Sequence, residues 1–211
     1  MPDSLHLTEL LCARLCHDIS GMVGSLTGTL DLLAAPPTRA ALQEAGAVAE
    51  DLARRIRLLR AAWGGDAGRL DLPRLRDLAR GAPAAERITL DLATLPRDYA
   101  FAPGTGRLVL NLLLLAPEIL PRGGTIVLVE AGAALLLRPT GPRAAWPAGF
   151  AGYLVNPQAT RTAAATPRTV LGLWIALLAA HLGVRAALLL PSGSGRSAGP
   201  APLLLQQTHP A

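Results

Sequence analysis

From Leu11 the apolar positions run Leu11, Leu15, Ile19, Met22, Leu26, Leu30 and Leu33, at gaps of four, four, three, four, four and three. Side chains three and four residues apart share one face of an α-helix, so this spacing predicts one long helix with a continuous apolar stripe. Ala-Pro-Pro-Thr at 35–38 breaks it, and Thr38 is the residue type that caps a new helix. Ala41, Ala45, Val48, Leu52, Ile56, Leu59 and Trp63 then repeat the pattern until Gly64 and Gly65 end it. Two long helices joined by a short turn lie antiparallel. Each carries an apolar face that the other covers only in part, so a second copy is expected to complete a dimeric four-helix bundle.

Beyond residue 65 the period changes. "RITLDLA" alternates like a strand, "TGRLVLNLLLLAPEIL" reads as a buried helix, and "GGTIVLVEAGAALLLRP" reads as two strands about a glycine turn. "TPRTVLGLWIALLAAHLG" is a further helix, with Thr166 as its cap, Pro167 at its first position and Gly183 as its stop. "VRAALLL" and "PLLLQQ" flank a Ser/Gly-rich loop and can pair as a final hairpin. The expected class is α+β: a helical hairpin over residues 1–65, then an α/β sandwich over 66–211.

Composition narrows the chemistry. All 20 basic residues are arginine, which excludes a P-loop lysine and a Schiff base. Up to Gly65 six arginines meet seven acids; afterwards fourteen meet eight. The arginines of the basic part are scattered without interleaved aromatics, so no nucleic-acid partner is expected. Residues 170–190 are apolar enough to raise a membrane span, but His181, Gly183 and Arg185 interrupt them. The segment reads instead as a buried helix, a glycine stop and a strand, with no membrane association. "MPDSLHLTE" has neither the basic start nor the apolar run of a secretory signal, and two cysteines make no disulfide framework. The cytoplasm is the expected compartment.

One residue stands out on the first helix. At about 100° per residue His17 projects roughly 190° from the centre of the apolar stripe, toward solvent. Gly21, Gly24 and Gly28 fall on the same side, although each costs up to about 1 kcal/mol against alanine. They form a smooth groove on which another protein's backbone can approach the imidazole. Cys12 and Cys16 flank the stripe, are expected to be buried, and do not converge with His17 on a metal ion. A neutral imidazole is a nucleophile able to carry a phosphoryl group as a phosphoramidate. Asp18 can orient the ring or accept its proton. Arg14 can screen phosphate charge or meet an acid on a partner, or be an ordinary solvated residue.

"CHDISGMVGSLTGTLDLL" resembles the phosphoacceptor helix of the alphaproteobacterial histidine phosphotransferases of the ChpT type, relatives of histidine kinases. "LVLNLLLLAPEILPRGGTI" is similar to the N-box helix and following strand of the kinase ATPase fold, and "PTGPRA" stands where its first glycine box would be. The resemblance implies a dimeric bundle followed by a degenerate histidine-kinase-type (Bergerat) ATPase-like domain. It implies that His17 is phosphorylated, with Asp18 as its acidic neighbour. Leu115 occupies the place of a magnesium-binding Asn, Pro139 lies near that of the adenine-recognising Asp, and Arg143 near its glycine partner. No glycine-rich lid precedes "TVLGLWIALL". Gly21 replaces the Thr or Asn that positions water in many kinases, and Met22 replaces a usual Pro.

These readings imply a homodimeric phosphorelay intermediate. It is an enzyme without autokinase activity, moving a phosphoryl group between receiver-domain aspartates of response regulators through His17. Arg14, Gly21, Gly24 and Gly28 would dock the receiver. No cofactor is expected, magnesium coming with the receiver. The helix from Thr105 and the loop near Arg143 are candidates for a second docking surface. The competing class is a non-catalytic adaptor that binds receivers or kinases.

Overall fold

The computed structural model describes residues 2–31, 38–64, 70–157, 166–189 and 199–208. The expected turn at 35–38 up to Pro37, Leu33, Gly65, most of the Ser/Gly-rich loop and His209 lie outside the described residues. The architecture is α+β, with an N-terminal helical pair and a sheet-bearing C-terminal part.

The apolar stripe belongs to α1 (Pro2–Asp31), and the second repeat to α2 (Arg39–Trp63). Thr38 caps α2: its Oγ1 accepts from the Ala41 N–H at 3.2 Å, and its carbonyl from Leu42 at 3.1 Å. At the far end the Gly64 N–H closes on the Arg60 carbonyl at 2.8 Å. Asp18, midway along α1, faces Arg55 in the second half of α2, as antiparallel packing requires.

The C-terminal part follows in the order β1 (Leu70–Asp71), α3 (Leu72–Ala79), β2 (Ile88–Asp91), β3 (Ala100–Phe101), α4 (Pro103–Ile119), β4 (Gly124–Ala131), β5 (Ala134–Thr140), α5 (Phe150–Val155), α6 (Val170–His181), β6 (Val184–Leu188) and β7 (Leu203–Gln207). Five strands form one sheet in the order β2-β4-β5-β7-β6. The β2–β4 pair is parallel and the other neighbours antiparallel. A parallel neighbour needs a crossover, and α4 supplies it. β4 enters through Gly123 and Gly124 at φ +79° and +144°, where a Cβ would stand 2.6 Å from the Arg87 carbonyl oxygen and 2.3 Å from that of Thr140. Only glycine fits both places.

Period-2 alternation sets the buried face. Leu135 and Leu137 of β5 point inward with Ile126 and Leu128 of β4 and Leu203 and Leu205 of β7, while Arg138 and Thr140 face out. α4 and α6 cover that face. α4 is buried almost all round, as expected for a helix apolar on every side. At its centre Asn111 is fully buried and saturated. Its Oδ1 accepts from the indole N–H groups of Trp63 in α2 and Trp174 in α6, both at 2.9 Å. Its Nδ2 donates to the carbonyls of Ala62 at 3.2 Å and Arg107 at 2.9 Å. One amide thus ties the hairpin to the layer above the sheet, and Leu58 and Ala62 of α2 share the core with α4.

Residues 170–189 form a short buried helix, a turn with Gly183 at φ +62°, and a strand up to Leu188, Leu190 lying outside the described residues. No helix among the described residues is long and apolar enough to cross a membrane. One boundary differs from expectation: α6 starts at Val170, not at Pro167. The Thr166 carbonyl accepts from both Thr169 and Val170, so residues 166–169 form a turn, and Thr169 stands at the cap.

Candidate functional site

α1 presents His17 outward with its side chain 86% exposed. A Cβ built on Gly21, Gly24 or Gly28 meets nothing within 4 Å, so the three leave an uncovered groove along the helix. Cys12 and Cys16 are exposed, contrary to expectation. The stripe residues Leu11, Leu15, Ile19, Met22 and Leu26 are half-buried, and the cysteines lie outside the covered sector. Among the described residues no three His, Cys, Asp or Glu side chains group to hold a metal.

Asp18 is adjacent to His17 in space as in sequence: its Oδ1 lies 3.3 Å from His17 Nδ1. Its other oxygen accepts from Arg14 Nε at 3.0 Å. Arg14 is the point of departure from the sequence reading. It is neither a solvated residue nor a free cation, being only 17% exposed and donating on two sides. Its NH1 group reaches Glu118 Oε1 at 3.0 Å and lies near the carbonyls of Pro167 and Arg168 at 3.3 and 3.4 Å. Burial by itself would lower the Arg14 pKa, but the carboxylates of Asp18 and Glu118 more than offset it and raise it. Burial pushes the Glu118 carboxyl up, against the opposing pull of Arg14.

These groups floor a cleft of ≈ 930 Å³ whose walls are Ala13 and His17 on one side and Thr166, Pro167, Arg168 and Thr169 on the other. Sequence reasoning did not single out Glu118, which lies at the end of α4, 104 residues from Arg14. The helix from Thr105 reaches the cleft only at its end, at Glu118. Thr105 is 6% exposed and the helix is enclosed by α2, α6 and the sheet, because every face of it is apolar. The loop near Arg143 is exposed. Arg143 keeps the left-handed backbone, φ +58°, that a glycine there would adopt.

With Nδ1 against Asp18, Nε2 is the ring nitrogen left to act, and no protein partner reaches it among the described residues. An imidazole that donates through Nδ1 carries its lone pair on Nε2 and is a nucleophile there. Such an arrangement is chemically able to attack an electrophile brought by another molecule.

The family model for the histidine phosphotransferase C-terminal domain matches residues 72–190. The chain belongs to this histidine phosphotransferase family. It is similar to the protein phosphotransferase ChpT of Brucella abortus (strain 2308), 27% identical over 138 residues. That match spans 58% of this chain and 60% of the Brucella protein's length. The fold is that of a bacterial phosphotransferase solved at 1.7 Å, with a TM-score of 0.67, 22% identity and 95% of each chain covered.

Proposed function

We propose that this chain is a phosphorelay histidine phosphotransferase, working without bound ATP. His17 takes a phosphoryl group from the receiver-domain aspartate of one response regulator and gives it to that of another. The carrying observation is the outward His17 whose Nδ1 rests on Asp18, beside a cleft of ≈ 930 Å³. The Nε2 lone pair attacks phosphorus, the N–P bond forms as the bond to the aspartate oxygen breaks, and that oxygen leaves as a carboxylate. The Nδ1 proton stays directed at Asp18, which offsets the charge the ring acquires. Magnesium belongs to the receiver. Gly21, Gly24 and Gly28 give it room to approach.

The reading that ATP is not used draws support from Asn111, whose amide is spent on two tryptophans and two carbonyls, and from Leu115, which is fully buried. The homodimer draws support from the hairpin's uncovered apolar residues: Leu5, Val23, Leu30, Leu42 and Ile56 are 39 to 63% exposed. A degenerate Bergerat domain over 66–211 and a cytoplasmic setting complete the proposal.

Incubation with a receiver labelled at its aspartyl phosphate tests it. The wild type should take up label and His17→Ala should not; label on the variant would refute the assignment. Equal downstream signalling by both chains would favour the adaptor. A nucleotide titration should be flat.

A further inference from the structure

We infer that Glu118 and Arg14 are positioning residues for the imidazole, forming a charge relay anchored in the C-terminal part of the molecule. The inference rests on the phosphohistidine reading and assigns roles to groups that do not touch the phosphorus. The chain of contacts is continuous: Glu118 Oε1 to Arg14 NH1 at 3.0 Å, Arg14 Nε to Asp18 Oδ2 at 3.0 Å, and Asp18 Oδ1 to His17 Nδ1 at 3.3 Å. A solvent-exposed ring on a helix has free choice of tautomer and of rotation. This ring is held at one nitrogen by a carboxylate whose second oxygen is itself pinned. Arg14 gives up its freedom to do so: its guanidinium spans α1, the end of α4 and the turn before α6. A guanidinium forks between two carboxylates in a fixed plane, which lysine's point charge does not reproduce. Arg55 faces Asp18 from α2 but spends its Nε on the Gly81 carbonyl, so it adds charge without setting the carboxylate plane.

The consequence is that seating of α1 against α4 and His17 tautomer are linked. Loss of Glu118 removes the charged anchor and leaves Arg14 NH1 only the longer bonds to the carbonyls of Pro167 and Arg168, at 3.3 and 3.4 Å; the guanidinium shifts toward them, Asp18 follows, and Nε2 is no longer the committed nucleophile.

Nitrogen-15 NMR of the full chain at about pH 8.5, roughly two units above an ordinary histidine, reads the tautomer directly and needs no phosphoryl transfer. In the wild type His17 should be protonated mainly at Nδ1. In Glu118→Ala and in Arg14→Lys its ratio should move toward that of His181, an exposed histidine at the end of α6. Glu118→Gln, which still accepts from Arg14, should keep the wild-type ratio. Transfer from the labelled receiver should slow about tenfold in Glu118→Ala and Arg14→Lys, the equivalent of one charge-assisted hydrogen bond, and recover to within about twofold in Glu118→Gln. A wild-type tautomer ratio in Glu118→Ala with an unchanged melting temperature overturns the relay. Absence of label on wild-type His17 overturns the phosphohistidine reading instead, and leaves the tautomer result to decide the relay by itself.

Discussion

Glu118 shows how burial and pairing pull against each other in one side chain. Its desolvation raises the carboxyl pKa, and Arg14 only partly reverses that. A carboxyl with a raised folded-state pKa binds its proton more tightly in the folded chain than in the unfolded one. Its contribution to stability is therefore complete below the ordinary glutamate value, about 4.3, and is lost as pH rises through the folded value above it. Glu118→Gln has no such titration. Denaturation across that window should show the wild type losing ground to Glu118→Gln as pH increases, and a pH-independent difference would contradict the assignment. Asn111 is the opposite case, a buried polar group with nothing left over. Replacing it by Leu strands two indole donors, each worth about 1–3 kcal/mol when buried unpaired, while the Ala62 carbonyl keeps Arg107 Nε at 3.0 Å. Urea unfolding should record a loss of about 3 kcal/mol or more. Since Trp63 and Trp174 both end on this amide, their fluorescence should change together.

Glycines on the outer side of α1 separate the helix's stability from its task. Among the described residues nothing opposes a Cβ at Gly21, Gly24 or Gly28, and alanine is the better helix former. Each Gly→Ala change should raise stability by about 0.5–1 kcal/mol, seen in thermal melts, while weakening receiver binding and slowing transfer. Alanines that stabilise without affecting transfer would show that no partner backbone approaches this groove. The helix itself was legible because its period runs for many turns; so were α2 with its Thr38 cap, the all-apolar α4, and the β4–β5 hairpin about Gly132. Short elements were not. α3 has eight residues, six of them in "LPRLRD", and α5 has six, too few for a period to stand out, although Asp71 and Pro73 are a fair start signal for α3. The start of α6 was misplaced because Thr-Pro serves equally as a cap with a first helical residue or as a turn, and the turn formed. The outward direction of His17 could be read from one helical wheel, and the nearness of Asp18 from its place next in sequence. Glu118 could not, since nothing local joins α1 to the end of α4; their meeting follows from how the hairpin sits on the layer over the sheet.

Five of the exposed large apolar side chains among the described residues lie on the helical hairpin. Along α1, Leu5, Cys12, Ile19 and Leu26 recur every seven residues, interleaved with Cys16, Val23 and Leu30. That is the a/d spacing of a helix seam that needs partners on both flanks. α2 meets one flank of it, leaving Leu5, Cys12, Cys16, Val23 and Leu30 exposed, while α2 itself exposes Leu42 and Ile56. His17 projects on the far side, so closing the seam with a second hairpin leaves the imidazole and its glycine groove open. In a single chain Leu5, Val23, Leu30, Leu42 and Ile56 stay 39 to 63% exposed, and covering the remainder of each is worth roughly half of the 1.5–3 kcal/mol of a full burial. The seam and the site can therefore be tested apart. Val23→Glu combined with Leu42→Glu places like charges where the two hairpins would meet, and sedimentation should show a monomer in place of a dimer. His17, Asp18 and the Arg14–Glu118 pair are not on that seam, so the monomer should keep the tautomer of His17 while losing several degrees in melting temperature. A dimer that survives both glutamates would place the contact between copies elsewhere, and the exposed row along α1 would then need another protein to cover it.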